Sequence, residues 1–464
     1  MKILKMFFCG IILCSAFVLK ADEVACPPAT QVGVKENASA KFIQRTMKKL
    51  EESTKENPSY VRILFYGQSI VAQGWRDDLM KYLKEKYPTV VFDVKSRAIG
   101  GFEAGNLIRT AESDLYPFYP DLLFFHVYGE LDKYEQIVKN TRERTSAEIV
   151  LWTSHLNASQ KAEKMLEQRD KRSLAIMEIA KRNSCMVIDL NKKWSEMLLA
   201  NKWKSSELLR DGIHLNEKGV KYYAGFIAEE LVRIKGAEGV AEVSGTITEV
   251  PFESDMVKKN SDGSVELTFE GNRVIAIPDG KQLGKMNILL DGKSPAAYPE
   301  MYANTRPSTL VMWMPMIRCV ERKDGVLPIA QNWELIYTEG TKREGPVAYK
   351  VKGSVTGEDG YGRSDEDFVS NSGQVVIKTA DFHGNQQYKR FLKNPRFSNN
   401  YARVGQKIKW KTYPLHSEMF SSAKTERRVV IVQNCENTKH TLKFIPTKNA
   451  KIGISKFVIY KPAK

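Results

Sequence analysis

Five runs dominated by apolar residues punctuate the first half of the chain: Val61–Tyr66 (VRILFY), Val90–Val94, Leu122–Tyr128 (LLFFHVY), Glu148–Thr153 (EIVLWT) and Met186–Leu190 (MVIDL). A strand with one wet face alternates apolar and polar side chains, so runs without that alternation belong to strands covered on both sides. Between them lie segments with helical spacing, at Trp75–Tyr87, Phe102–Leu115, Tyr134–Arg144, Ser159–Asn183 and Tyr222–Arg233. Strands separated by helices pair in parallel and carry those helices on both faces. The expectation is an α/β unit: a three-layer α/β/α, flavodoxin-like parallel sheet. In such a sheet the working residues gather where the strands end.

Beyond about residue 240 the texture changes. Short alternating segments appear between turn residues: Val265–Phe269, Asn287–Leu290, Leu310–Trp313, Trp333–Tyr337, Val375–Thr379, Val429–Gln433, Thr441–Phe444 and Lys456–Tyr460. They predict an all-β sandwich, jelly-roll-like, following the α/β unit. A chain of 464 residues exceeds one ordinary core, which agrees with two domains. The expected boundaries are 22–59 for a lead-in segment, 60–238 for the α/β domain and 245–464 for the β domain. Ahead of them, residues 1–21 read as a secretory signal: Lys2 and Lys5, an apolar run from Met6 to Leu19, then Ala21. That run is too short to span a bilayer, so the expectation is a secreted or periplasmic protein with no membrane span. Its cysteines would then be Cys26, Cys185, Cys319 and Cys435, which allow three disulfide connectivities with nothing in the spacing to choose one. The formal charge is +16, but the basic residues are spread along the chain rather than massed in an arm or stripe, so nucleic acid is not an expected partner.

Chemistry enters at two places. Gly67-Gln68-Ser69 ends the first apolar run, and Asp211-Gly212-Ile213-His214-Leu215-Asn216 precedes the last helical segment. A hydroxyl, an imidazole and a carboxylate are the three groups that nucleophilic acyl transfer requires: attack, proton acceptance, and orientation of the charged ring. Either piece alone has a plain structural explanation, because Gly-x-Ser is a common turn and Asn216 an ordinary helix cap. Their order within a strand–helix alternation carries the reading.

At these residues the chain resembles the SGNH (GDSL-type) serine hydrolases, over roughly residues 60–235. Gly67-Gln68-Ser69 stands where that family has Gly-Asp-Ser, with Gln for Asp. Gly101, with Gly100 beside it, matches the glycine after the second strand, and Asp211 with His214 matches the closing Asp-x-x-His. The resemblance implies an esterase in which Ser69 attacks, His214 takes the proton, and Asp211 orients His214. Backbone N–H groups of Ser69 and Gly101 would hold the oxyanion. No metal and no organic cofactor is implied. One block departs. Where the family carries Gly-x-Asn-Asp, this chain has Gly129-Glu130-Leu131-Asp132, so Leu131 replaces an amide donor, a loss that costs on the order of 10²–10³ in rate. Tyr128, through its hydroxyl, is the favoured substitute; His126, in an apolar run, reads as core. His155 follows the fourth strand and faces the expected site as a substrate contact. The implied substrate is an acylated carbohydrate, most readily an O-acetylated polysaccharide. The alternatives are a glycan-binding protein with a degenerate oxyanion hole and an acyltransferase acting on sugars. In the β part, Gly357–Asp367 clusters carboxylates and glycines without EF-hand spacing and reads as a polar loop. Trp313, Trp333 and Trp410 could stack on sugars or fill cores. Oligomeric state is not legible.

Overall fold

The computed structural model describes residues 37–280, 284–308, 314–339, 346–382, 404–422, 428–447 and 453–463. The expected signal segment, Cys26, and the Leu310–Trp313 strand with Trp313 lie outside them.

Strands β1 (Tyr60–Gly67), β2 (Val91–Ser96), β3 (Leu122–His126), β4 (Glu148–Trp152) and β5 (Met186–Ile188) form one sheet in the order β2-β1-β3-β4-β5. Every neighbouring pair is parallel. Successive side chains of a strand point to opposite faces, and here both faces are covered. Ile63, Phe65, Phe124, Val150 and Trp152 join one core, under helices α1 (Gln44–Glu51), α2 (Trp75–Lys86), α7 (Leu190–Asn201) and α8 (Glu217–Glu230). Leu64, Tyr66, Leu123, Phe125 and Leu151 join the other, under α3 (Ala104–Asp114), α4 (Leu131–Arg144) and α6 (Lys171–Arg182). This is the three-layer parallel architecture the apolar runs predicted. The first core is aromatic at its centre: Phe65 stacks on Phe124 at 4.9 Å, and Trp152 Nε1 donates to the Tyr223 hydroxyl at 2.7 Å. Each such ring contributes roughly 1.5–3 kcal/mol on burial.

Three details differ from expectation. The single helix expected at Ser159–Asn183 is two, α5 (Ala162–Glu167) and α6, because Asp170 caps a new start by accepting from Ser173 N at 3.0 Å. Helix α7 lies in a stretch to which the sequence reading assigned no element; Leu190, Trp194, Met197 and Leu198 supply its buried stripe and Asp189 its cap. The lead-in segment contributes α1, and Arg45 N and Thr46 N donate to the buried Glu148 carboxylate at 2.9 and 2.7 Å.

From residue 246 on, the described residues form antiparallel sheets. One holds β6 (Thr246–Pro251), β7 (Val257–Lys259), β8 (Val265–Pro278), β9 (Lys285–Leu290), β17 (Met419–Ser421), β18 (Val429–Pro446) and β19 (Ile454–Lys461). A second holds β10 (Tyr302–Asn304), β11 (Gln331–Tyr337), β12 (Ala348–Gly353), β13 (Gly357–Arg363) and β16 (Lys407–Pro414), flanked by the pair β14 (Phe368–Val369) and β15 (Val376–Ile377). The two larger sheets gather separate cores, around Phe269, Leu442 and Phe457 in one and Trp333, Tyr349 and Trp410 in the other. Trp333 and Trp410 are therefore core residues. Segments expected as two strands, Val429–Gln433 and Thr441–Phe444, are one strand bent where its register shifts between Gln433 and Thr438. Cys185, Cys319 and Cys435 are buried and unbridged, so no disulfide joins the described cysteines. Among the described residues no helix is long and apolar enough to cross a membrane.

Candidate active site

β1 lies between β2 and β3, so the loops after β1 and β3 diverge and leave a crevice at their carboxyl ends. Ser69 stands in it, two residues past β1. Gly67 sets that placement: a methyl group there would sit 2.1 Å from the His126 carbonyl oxygen of the neighbouring strand. The segment bearing His214 closes over the crevice just before α8. Asn216 caps α8 by accepting from Gly219 N at 2.9 Å. Arg210 N donates to His214 O at 2.8 Å, and Leu215 N to Gln73 Oε1 at 2.8 Å.

These loops bring together residues 145 positions apart. Ser69 Oγ lies 2.9 Å from His214 Nε2. His214 Nδ1 lies 3.0 and 2.9 Å from the two Asp211 oxygens. Asp211 also accepts from the backbone N–H of His214 at 2.8 Å and of Ile213 at 3.3 Å. The first of these bonds is the main reason its carboxyl is held below the usual carboxylate range. With Asp211 ionised, the imidazole proton belongs on Nδ1, which leaves the Nε2 lone pair facing the serine hydroxyl. The cleft is lined by Ser69, Gln73, Ala98, Gly100, His214 and Val220, among others, and has a volume of about 920 Å³.

Gly101 adopts φ +81° in the turn between β2 and α3, a conformation that suits glycine. The N–H groups of Ser69 and Gly101 donate to no other described residue, as donors kept for a ligand oxygen would. Leu131 is the first residue of α4 and packs on the core under α3 and α4. Tyr128 and His155 line a separate polar cavity of about 250 Å³, with Asn157, Asp170, Arg172 and Asn191. The Tyr128 ring meets the His126 ring edge-on, with centroids 5.3 Å apart. His155 Nε2 donates to Ile213 O at 2.7 Å, and burial holds its imidazole down to about 4. A neutral ring thus braces the Asp211–His214 loop from below.

Three further residues support the site without a signal in the sequence. Gln68, buried in the position of the resembled family's aspartate, accepts from Ile70 N at 2.6 Å, and its Oε1 lies 3.1 Å from Ser69 Oγ. Its amide nitrogen is 3.3 Å from His126 Nδ1, whose Nε2 is 3.1 Å from Ser154 Oγ. Burial holds the His126 imidazole down to about 3, so the ring stays neutral, accepting from Gln68 and donating to Ser154. His126 is therefore both core and part of the support beneath Gln68 and Ser69. An apolar run with one histidine gives no signal for that, and Gln73 sits in a loop with no pattern at all.

No family model matches this chain, and no curated protein matches it. Among solved structures it is similar to a two-domain esterase active on acetylated mannans, at 11% identity over 91% of this chain and 96% of that one, with a TM-score of 0.35. It is also similar to an acetylxylan esterase from Geobacillus stearothermophilus, at 19% identity over 37% of this chain and 94% of that one, TM-score 0.33. A putative GDSL-like lipase from Parabacteroides merdae matches at 18% identity over 39% and 96%, TM-score 0.33. Similarity of this order leaves the activity to be argued from the chain's own site.

Proposed function

We propose that this chain is a serine esterase of SGNH type, working through a covalent acyl-enzyme. The single observation that carries the reading is the continuous hydrogen-bonded line from Ser69 Oγ through His214 to Asp211. In the first half-reaction the Ser69 oxygen attacks the ester carbonyl while His214 Nε2 takes the hydroxyl proton. The tetrahedral oxyanion is held by the N–H groups of Ser69 and Gly101. His214 then returns the proton to the departing alcohol as the C–O bond breaks. Water repeats the sequence: His214 deprotonates it, it attacks the acyl carbon, and Ser69 leaves with the proton.

For the substrate we favour an O-acylated carbohydrate, with acetyl as the acyl group, met outside the cell if the first 21 residues act as the signal they resemble. The cleft that holds Ser69 supports this, since Gln73, Asp78, Arg210, Asn216 and Lys221 line it with hydrogen-bonding groups that suit a hydroxyl-bearing alcohol. A second reading, a glycan-binding protein, is favoured by one feature: Leu131, where the resembled family has an amide donor.

The deciding experiment follows acetate release from acetylated polysaccharides and hydrolysis of a chromogenic acetyl ester. Turnover that falls at least about 10³-fold in Ser69→Ala supports the esterase. Turnover of no acyl ester by the wild type, with glycan retained on an affinity column, would leave the binder. Activity undiminished in Ser69→Ala would remove the mechanism.

A further inference from the structure

The β half of the molecule holds on to one helix of the α/β unit, and that helix follows directly from Gly101. Asn106 of α3 accepts from Arg318 at 2.7 Å. Arg109 donates to both Asp381 oxygens, at 2.9 and 2.7 Å, and pairs with Glu321. Asp114, at the far end of the helix, accepts from Arg306 at 2.9 Å. Arg306, Arg318, Glu321 and Asp381 all come from beyond residue 300, so four side chains of the β half fix three positions of α3.

Between Arg306 and Arg318 lies Met314. It is 5% exposed and belongs not to either β core but to the α/β core of Ile99, Phe102, Leu107 and Ala111. Its methyl group rests against Gly101, where a side-chain carbon would stand 2.4 Å from Met314 Cε. Gly101 itself is exposed on its other side and has positive φ. A glycine turn has more conformational freedom than any other residue would give it. A donor for an oxyanion is effective only when its direction is fixed before the reaction.

We propose that Met314 is a positioning residue that fixes the direction of the Gly101 N–H, so that the β half completes the oxyanion-binding turn. This rests on the esterase reading and adds to it the role of the second half of the chain. Met314 acts through Gly101 and touches no reacting atom. The clamp on α3 stops the helix from carrying the turn away, and the methyl group fills the space into which Gly101 would otherwise relax. A displacement of about 1 Å at such a donor is worth on the order of 10² in rate.

The test uses the full chain with Met314→Val, which keeps the core apolar but is too short to reach Gly101, and Met314→Leu, which restores most of the reach. Ser69→Ala is the control. Expected for Met314→Val is a fall in kcat of roughly 10- to 100-fold with KM changed less than about threefold. Its affinity for a boronic acid, which forms a tetrahedral adduct on the serine, should fall by the same factor as kcat/KM, and Met314→Leu should recover to within about threefold of wild type. Loss of activity that merely tracks the unfolded fraction, with the folded enzyme binding boronate normally, overturns the proposal. So does a Met314→Val enzyme with wild-type kcat while Ser69→Ala is inactive, and in that case the esterase reading survives. A Ser69→Ala enzyme that keeps its activity removes both.

Discussion

The two halves of the molecule use side chains differently. In the α/β half, sequence position and chemistry coincide: Ser69 follows β1, Gly101 follows β2, Gly129 follows β3 and His155 follows β4, all at one end of the sheet. A parallel sheet makes this unavoidable, since every strand delivers its loop to the same side. The β half has two sheets with separate cores, and its polar side chains meet the α/β half along a seam. That seam continues past α3: Gln433 donates to Pro117 O at 2.8 Å, and Tyr119 donates to Asn272 at 2.8 Å. Arg273 lies between the rings of Tyr119 and Tyr460, 4.7 Å from each, so deeply buried that its guanidinium is held down to about 10. On the proposed function the halves divide the labour: one would supply the reacting groups, and the other would restrain the helix and turn beside them.

The sharpest way to break that division is to alter a proton without altering a shape. Asp211 is half exposed, yet both its oxygens lie within 3.0 Å of His214 Nδ1. In Asp211→Asn the amide NH₂ can face Nδ1, which then accepts, and the imidazole proton moves to Nε2 where it faces Ser69. The base is lost while the loop stays in place. The expected cost is on the order of 10⁴ in kcat/KM for a chromogenic acetyl ester, with an unchanged melting temperature. A loss below tenfold would mean that the carboxylate does not orient the ring.

Much of the first half is legible because its physics is local. Leu122–His126 can only be a strand buried on both sides, and Asp211-x-x-His214 carries its pairing within one turn. What is not legible depends on distant chain. Nothing near Met314 in sequence says that it packs on Gly101, more than 200 residues earlier, and nothing near Arg306 or Arg318 names α3 as their partner. Helix α7 escapes the sequence for a different reason. Its stripe of Leu190, Trp194, Met197 and Leu198 is present, but Leu190 also continues the apolar run of the preceding strand and reads as its end. Leu131 cannot donate, which its residue type alone establishes; its position at the start of α4, packed on the core, needs the structure.

A backbone contrast sharpens the same comparison at lower cost. Gly67 pairs with His126 across β1 and β3, and a Cβ there meets main chain at 2.1 Å and Val71 at 2.6 Å. Gly67→Ala must push two central strands apart, so a loss of about 3 kcal/mol or more is expected in denaturant unfolding. Gly325, in the β half, has φ +76° but nothing within 4 Å, so Gly325→Ala should cost only about 1–2 kcal/mol, from the left-handed backbone alone. Equal costs at the two sites would mean that the first sheet is not held to its register more tightly than the β half of the chain.

The smallest effect expected comes from two buried groups that titrate in opposite senses. His126, in the α/β half, is held by burial at about 3, below the ordinary imidazole value of about 6.5. Between those values the unfolded chain binds the extra proton, so this group makes stability rise with pH. Asp114, at the seam, is pushed by burial up to about 6 in spite of Arg306 and Arg97. There the folded chain binds the extra proton; the contribution is fully present below the unfolded value of about 3.9 and is lost as pH rises towards 6. Each group changes the slope by about 1.4 kcal/mol per pH unit, with opposite sign, so between pH 4 and 6 they largely cancel. Asp114→Asn removes one side of the balance. The variant should therefore gain about 2–3 kcal/mol more than wild type on passing from pH 4 to 6, read from urea midpoints at intermediate pH values. If the two slopes coincide, Arg306 keeps Asp114 ionised in the folded chain, and the seam is held by a charged pair rather than by a neutral carboxyl.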